Sequence, residues 1–256
     1  MSNNELIIDL NNFKILQNIG ESESWSVYLI ENKTLKNHNV AKVNKMKFTE
    51  INEQKKIIDQ TEIYSKVKYP TILRFNGYSL SNFDSDPYPT FVTEYLPKRS
   101  LQQIYDPAKN SSTPNQLTNT SRYIILLGTA LAINHLHSMN IIHQNLKPSN
   151  ILLDDHYYPR ICDFGLSTKN TTYLAPEILS GHQFTFKSDV YSYSLIAYEL
   201  ITSKQLPVQI SEIQGKDNQT FFMRCISQKP SERPLFNEVL KHILQKSFIS
   251  IFNDVN

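Results

Sequence analysis

The chain has 256 residues, 40% hydrophobic and 20% charged, with a formal net charge of +2 at pH 7. That length can bury one large core or two small ones, and that composition excludes an intrinsically disordered chain. So slight a charge excess provides no field to hold nucleic acid or an anionic membrane.

The opening residues, MSNNELIIDLNNF, are too polar for a signal peptide. Apolar runs such as Ile124–Leu127 fall well short of the roughly 20 residues a membrane span needs. Cys162 and Cys225 lie far apart without metal-ligand spacing, so a disulfide framework is not expected. The chain reads as soluble, in a reducing compartment, cytoplasmic or nuclear.

Short β-branched or aromatic runs at Phe13–Leu16, Val27–Ile30 and Phe91–Tyr95 predict strands. Among them, about Thr49–Lys66 predicts a helix that carries Ile51, Ile58 and Tyr64 and is followed by Pro70. Strands, one helix and a strand pair make a small α+β lobe over 1–96. Asp106–Thr120 is a polar loop, and a helix begins near Thr118 with Ile124, Leu127 and Leu131 on one face. Ser188–Thr202 is apolar around most of its circumference, as a helix buried in a larger lobe would be. A last helix covers Pro234–Ser247, and no internal repeat is present. The expected organisation is one domain of two lobes, 1–96 and 100–256, joined over 95–100.

The strongest motif is Ile142-His-Gln-Asn-Leu-Lys-Pro-Ser-Asn-Ile-Leu-Leu153. Thirteen residues after Asn150 comes Asp163-Phe-Gly165, then Ala175-Pro-Glu177, then Ser188-Asp-Val-Tyr191. Singly these fragments mean little. In this order they resemble the signature set of eukaryotic protein kinases, from about Phe13 to Leu244. The phrases SDVYSYS and KPSERP resemble the tyrosine-kinase-like branch, which mostly phosphorylates Ser and Thr. The resemblance implies a bilobal α+β fold, with a β-rich N-lobe carrying one helix and a larger, mainly helical C-lobe. It also implies ATP and Mg²⁺ as cofactors.

By the same resemblance, Asn145 stands where the catalytic Asp accepts the substrate hydroxyl's proton. A carboxamide has no basic site near neutral pH, and losing a general base costs roughly 10²–10⁴ in rate. Gln144 replaces the Arg that contacts a phosphorylated activation loop. Gly20-Glu-Ser22-Glu-Ser-Trp25-Ser-Val27 overlays the glycine-rich loop with only its first Gly kept. Trp25 then either lies over the phosphates, or points outward or packs on the lobe. Lys42 matches the lysine that holds the α- and β-phosphates. Its usual Glu partner becomes Gln60, with Glu53 two turns away and Glu62 rotated off that face.

Other matches are kept. Asn150 and Asp163 match the metal-holding residues, both oxygen donors suited to Mg²⁺. Lys147 matches the lysine that contacts the transferred phosphate. Val27, Val40 and Leu152 match the adenine sandwich, Thr93 the residue at the back of the pocket, and Gly20, Glu94 and Leu96 its rim. Phe75, Tyr64, Phe164 and His143 match a stacked spine anchored by Asp189. Glu177 and Arg233 match a bracing ion pair. Two segments are short: nine residues, Leu166–Leu174, follow D-F-G, and thirteen lie between Pro207 and Phe221, where a docking helix is usual. Together these features point to a pseudokinase acting on a protein partner by allostery or scaffolding and binding Mg-ATP weakly. The alternative is a feeble Ser/Thr kinase transferring the γ-phosphate to protein hydroxyls. A small-molecule phosphotransferase is the remotest reading.

Overall fold

A computed structural model describes residues 6–48, 51–98, 100–105, 117–165 and 171–252, with the side chains of 51–54 and 56 left aside. The chain divides into two compact units. One joins Met1–Lys68 to Leu73–Tyr95, and the other joins Tyr69–Ile72 to Leu96–Asn256.

The first unit runs β1 (Phe13–Glu21), β2 (Trp25–Asn32), β3 (His38–Asn44), α1 (Ile51–Lys66), β4 (Phe75–Ser79) and β5 (Thr90–Glu94). Its five strands form an antiparallel sheet in the order β1-β2-β3-β5-β4. Val27 pairs with Lys42, Leu29 with Val40, Val40 with Thr93 and Lys42 with Phe91. Cross-strand partners share a face and side chains alternate along a strand. Trp25, Val27, Val40, Lys42, Phe91 and Thr93 therefore stand on one face, and Ile30, Ala41 and Val92 on the other.

That second face is sealed by Leu10, with Ile8, Phe13, Tyr28 and Phe83 packed around it. Gly77 lets the N-terminal segment approach: a Cβ there would lie 2.4 Å from the Leu6 carbonyl oxygen, at a φ of +149°. On the first face, α1 presents Ile57 and, beside it, Ile58 and Tyr64 to Phe91 and Tyr78. Positions 57, 60, 61 and 64 fall on one helical stripe, so Gln60 lies on the packed side.

The second unit holds α2 (Leu101–Tyr105), α3 (Asn119–Ser138), β6 (Ile151–Leu153), β7 (Pro159–Ile161), α4 (Pro176–Leu179), α5 (Phe186–Thr202), α6 (Lys216–Cys225), α7 (Phe236–Ile243) and α8 (Lys246–Ile249). Thr118 caps α3 by accepting the Ser121 N–H at 3.1 Å. The buried side of α3 is wider than the expected stripe and rotated from it. Ile125, Leu126, Ile133 and Leu136 are fully buried, while Ile124, Leu127 and Leu131 are only half-buried. α5 is buried from Ser188 almost to its end and forms the unit's centre. The expected last helix is two helices, because the chain leaves α7 at Leu244 and re-enters at Lys246. No helix among the described residues is long and apolar enough to cross a membrane.

Candidate functional site

Each unit carries its own set of the expected site residues. On the first, the shared sheet face gathers Val27, Val40, Lys42 and Thr93 by register alone. Val27 and Val40 are half-buried, and Thr93 is buried, its hydroxyl donating to the Glu94 carbonyl oxygen at 3.2 Å. The Glu94 carboxylate accepts the Arg74 N–H at 2.8 Å, which ties β5 to the start of β4.

Trp25 settles onto this unit. Its ring lies 5.3 Å from Phe91 and joins the cluster of Ile57, Tyr78 and Phe91. It does not turn outward, because β2 alternation gives it the same face as Val27. The Lys42 ammonium lies 5.6 Å from the indole centroid. Such a contact contributes about 0.5–2 kcal/mol, depending on desolvation.

Three amides of the turn between β1 and β2 are bonded locally. The Ser22 N–H donates to the Trp25 carbonyl at 2.8 Å, and the Trp25 N–H to Ser22 Oγ at 3.1 Å. The Gly20 N–H donates to Asn18 Oδ1 at 3.1 Å. Gly20 is not needed for backbone freedom, since an added Cβ would meet only Val27 at 3.6 Å. Glu21 is held at the turn by Lys45 at 2.5 Å, by Asn18 and by Ser26, and the Lys45 hydrogen bond leads in lowering its carboxyl pKa.

On the second unit the chain closes on Asp189 of α5, which is 2% exposed. Its carboxylate accepts the His143 N–H at 2.8 Å and the Gln144 N–H at 3.1 Å, and its Oδ2 lies 2.8 Å from His137 Nε2. Gln144 and Asp163 take φ of 67° and 60°, a left-handed conformation costly for ordinary side chains. The Asp189 bonds at Gln144, and the Gly165 N–H to the His143 carbonyl at 2.9 Å, hold it. Phe164 and His143 meet edge-on at 6.3 Å, and in the first unit Tyr64 and Phe75 lie tilted at 5.6 Å, so each unit contains its half of the expected spine.

Asn145 is 7% exposed and its N–H donates to His143 Nδ1 at 3.2 Å. That places the imidazole proton on Nε2. Burial pushes the His143 pKa down, so the ring is neutral. Among the described residues, neither His143 Nε2 nor Asn145 Oδ1 has a hydrogen-bond partner. Asn150 Nδ2 donates to the Asn145 carbonyl at 2.7 Å, which points Asn150 Oδ1 away from it. With Asp163, this gives two oxygen donors of the kind Mg²⁺ takes, the remainder coming from phosphate and water. Among the described residues no group of three or more His, Cys, Asp or Glu could hold a metal alone. Lys147 precedes the short 3₁₀ turn Pro148–Asn150, and its carbonyl accepts the Asn150 N–H at 2.9 Å. Leu152 lies half-buried on β6 opposite Arg160, and Leu96 is half-buried as well.

Glu62, half-buried on α1, reaches Lys66 at 3.6 Å. Glu177 and Arg233 pair in two-pronged fashion at 2.7 and 2.8 Å. Of the shortened loop, 166–170 lie outside the described residues, as do 106–116 of the polar loop and the Glu53 side chain. Between Pro207 and Phe221 the chain forms a 3₁₀ turn at Ile210–Glu212 and then the first turns of α6.

One group escaped the sequence reading. Glu199, 8% exposed on α5, has its carboxylate oxygens 3.1 and 3.0 Å from the Tyr173 hydroxyl. An acid in the apolar second half of the helix, outside any motif, was its only signal. Burial pushes its pKa from 4.5 up to about 7, against the opposing Tyr173 hydrogen bond. The folded chain thus holds this proton more tightly than the unfolded one. Its contribution to stability is full below the unfolded value near 4.5 and is lost as pH rises through about 7. Glu199→Gln should remove that slope and stabilise the chain at pH 8 by about 2–4 kcal/mol, at roughly 1.4 kcal/mol per pKa unit. Denaturant titrations at several pH values test this. An unchanged slope in the variant would assign it to another group.

A sheet-rich unit with one helix, followed by a helical unit whose loops close on a buried helix, is the α+β, bilobal architecture of a protein kinase. The protein kinase domain family matches residues 13–247, and the chain belongs to that family. It is 28% identical over 219 residues to a "probable serine/threonine-protein kinase" of Dictyostelium discoideum, covering 74% of this chain and 16% of that protein. It is 35% identical over 161 residues to another of Arabidopsis thaliana, covering 57% and 15%. A "dual specificity protein kinase" of Dictyostelium discoideum is 27% identical over 233 residues, covering 78% and 34%. The chain therefore spans well under half the length of each of these relatives.

Proposed function

We propose that this chain is a pseudokinase of the tyrosine-kinase-like branch, a module that binds nucleotide weakly and acts on a protein partner by allostery or scaffolding. Asn145 carries this reading. Its Oδ1 is a buried acceptor that can receive a hydrogen bond from a hydroxyl but cannot take the proton. The internally bonded turn at Gly20–Trp25 and the Gln60 substitution support it, because both remove groups that position phosphates. Bound Mg²⁺ would supply charge neutralisation at the phosphates, with Asn150 and Asp163 its protein donors.

Retention of Lys147, Asn150 and Asp163, and the likeness to relatives named as Ser/Thr kinases, favour the second reading, a low-activity Ser/Thr kinase. Melting in the presence of Mg-ATP separates the two. Weak binding at ten times Kd raises stability by only about 1.4 kcal/mol, and the nucleotide should be recovered intact. A shift of about 4 kcal/mol, as at a thousand times Kd, with ADP accumulating, would contradict the pseudokinase reading.

A further inference from the structure

We infer that the ligand of this site is phosphate-free, an uncharged purine nucleoside or a similar planar heterocycle, taken in preference to a metal-bound nucleoside triphosphate, and that Trp25 sets the preference. This rests on the reading that Val27, Val40 and Thr93 form a base-binding face.

The kept groups on the sheet face that would meet a base are uncharged: Val27 and Val40 offer half-exposed apolar surface, and Thr93 a hydroxyl. Lys42 on the same face is a kept cation, but it lies beside the Trp25 indole. The lost element is the glycine-rich turn that would meet phosphate. A turn binds phosphate by aiming free N–H groups at it. Here the Gly20, Ser22 and Trp25 amides are bonded within the turn. The turn also carries a fixed carboxylate, Glu21, held by Lys45 at 2.5 Å, with Glu23 two residues on. The Lys45 ammonium that could draw phosphate to the turn is instead occupied by Glu21.

Trp25 adds a steric and an electrostatic term. Its indole stands on the Val27 face, packs on Phe91, and lies 5.6 Å from the Lys42 ammonium. A phosphate reaching that ammonium must displace the ring and give up its attraction for the cation.

The test is calorimetric titration of the full chain with adenosine, AMP, ADP and ATP, each with and without Mg²⁺. Adenosine should bind at least as tightly as ATP, within about threefold, with no Mg²⁺ dependence. Trp25→Gly should tighten ATP binding about tenfold or more while leaving adenosine within about threefold. Should that variant fail to fold, Glu21→Gln, at an exposed position, should still tighten ATP about threefold and adenosine not at all. ATP binding about tenfold tighter than adenosine in the unmodified chain overturns the inference, as does a failure of all four probes to bind. Neither result restores phosphotransfer, so the absence of catalysis in the proposed reading would survive either, while binding by none of the probes would also remove its weak nucleotide binding. Detectable turnover of ATP would instead overturn that reading.

Discussion

Replacing Arg233 by alanine should cost the second unit about 3–5 kcal/mol, the usual range for breaking one side of a buried ion pair. Arg233 is 1% exposed, and four hydrogen bonds leave its guanidinium. Two go to Glu177, one to the Ser227 carbonyl at 2.9 Å and one to the Lys187 carbonyl at 3.1 Å, and its plane also covers the Tyr191 ring at 4.9 Å. Alanine would strand the carboxylate and two carbonyls together. Lysine should not rescue, because a single ammonium cannot reproduce a planar fork of donors. The pair has a pH signature as well. Burial alone would raise the Glu177 carboxyl, but the Arg233 hydrogen bond, a backbone hydrogen bond and the charges of Arg233 and His182 together hold it below its usual value. A lowered folded pKa gives stability that is present above the unfolded value and lost as pH falls through the folded one. Urea unfolding of Arg233→Ala, Arg233→Lys and the unmodified chain at pH 7 and pH 4 checks both parts. A loss below about 1 kcal/mol would place the pair among ordinary surface bridges.

Restoring Asn145→Asp alone should raise any residual transfer by at most the roughly 10²–10⁴ a general base contributes, without giving robust peptide phosphorylation. The new carboxylate would sit where only 7% of the residue is exposed, and burial raises a carboxyl's pKa. It would regain the proton acceptor but leave the Gly20–Trp25 turn bonded to itself and Gln60 on the packed stripe of α1. Positioning supplies much of the barrier reduction in phosphoryl transfer, and those parts stay unrepaired. Asn145→Asp with Gln60→Glu and Trp25→Gly should exceed the sum of the single changes, because such groups act as a unit. Full activity from the single substitution would show that the turn and α1 matter less than their geometry implies.

The elements most legible in the sequence were those whose pattern has one physical solution. The apolar circumference of Ser188–Thr202 could only be buried, and α5 is the centre of the second unit. Thr118 was legible as a helix start because its hydroxyl has an N–H to accept three residues on. Residues that act through a third dimension were harder. Trp25 had two open directions until the β2–β3 register assigned it to the Lys42 face. The stripe read from Ile124, Leu127 and Leu131 was the flank of a broader buried side of α3, because both neighbouring faces of that helix are also apolar. Leu244 and Gln245 carry no breaker, so the division between α7 and α8 left no local sign. Tyr69–Ile72 belongs to the second unit through pairing of Ile72 with Ile161, a contact across 89 positions of chain. The Tyr173–Glu199 contact likewise joins groups 26 residues apart that no motif connects.

The most direct test is single-turnover transfer of the ATP γ-phosphate, at millimolar Mg-ATP, to protein and to water, with Asp163→Ala as background. The unmodified chain should be indistinguishable from that background for both acceptors, because Asn145 cannot accept the hydroxyl proton and the Gly20, Ser22 and Trp25 amides of the turn are already bonded. Transfer well above the Asp163→Ala level would contradict the pseudokinase reading and place this chain among the active Ser/Thr kinases.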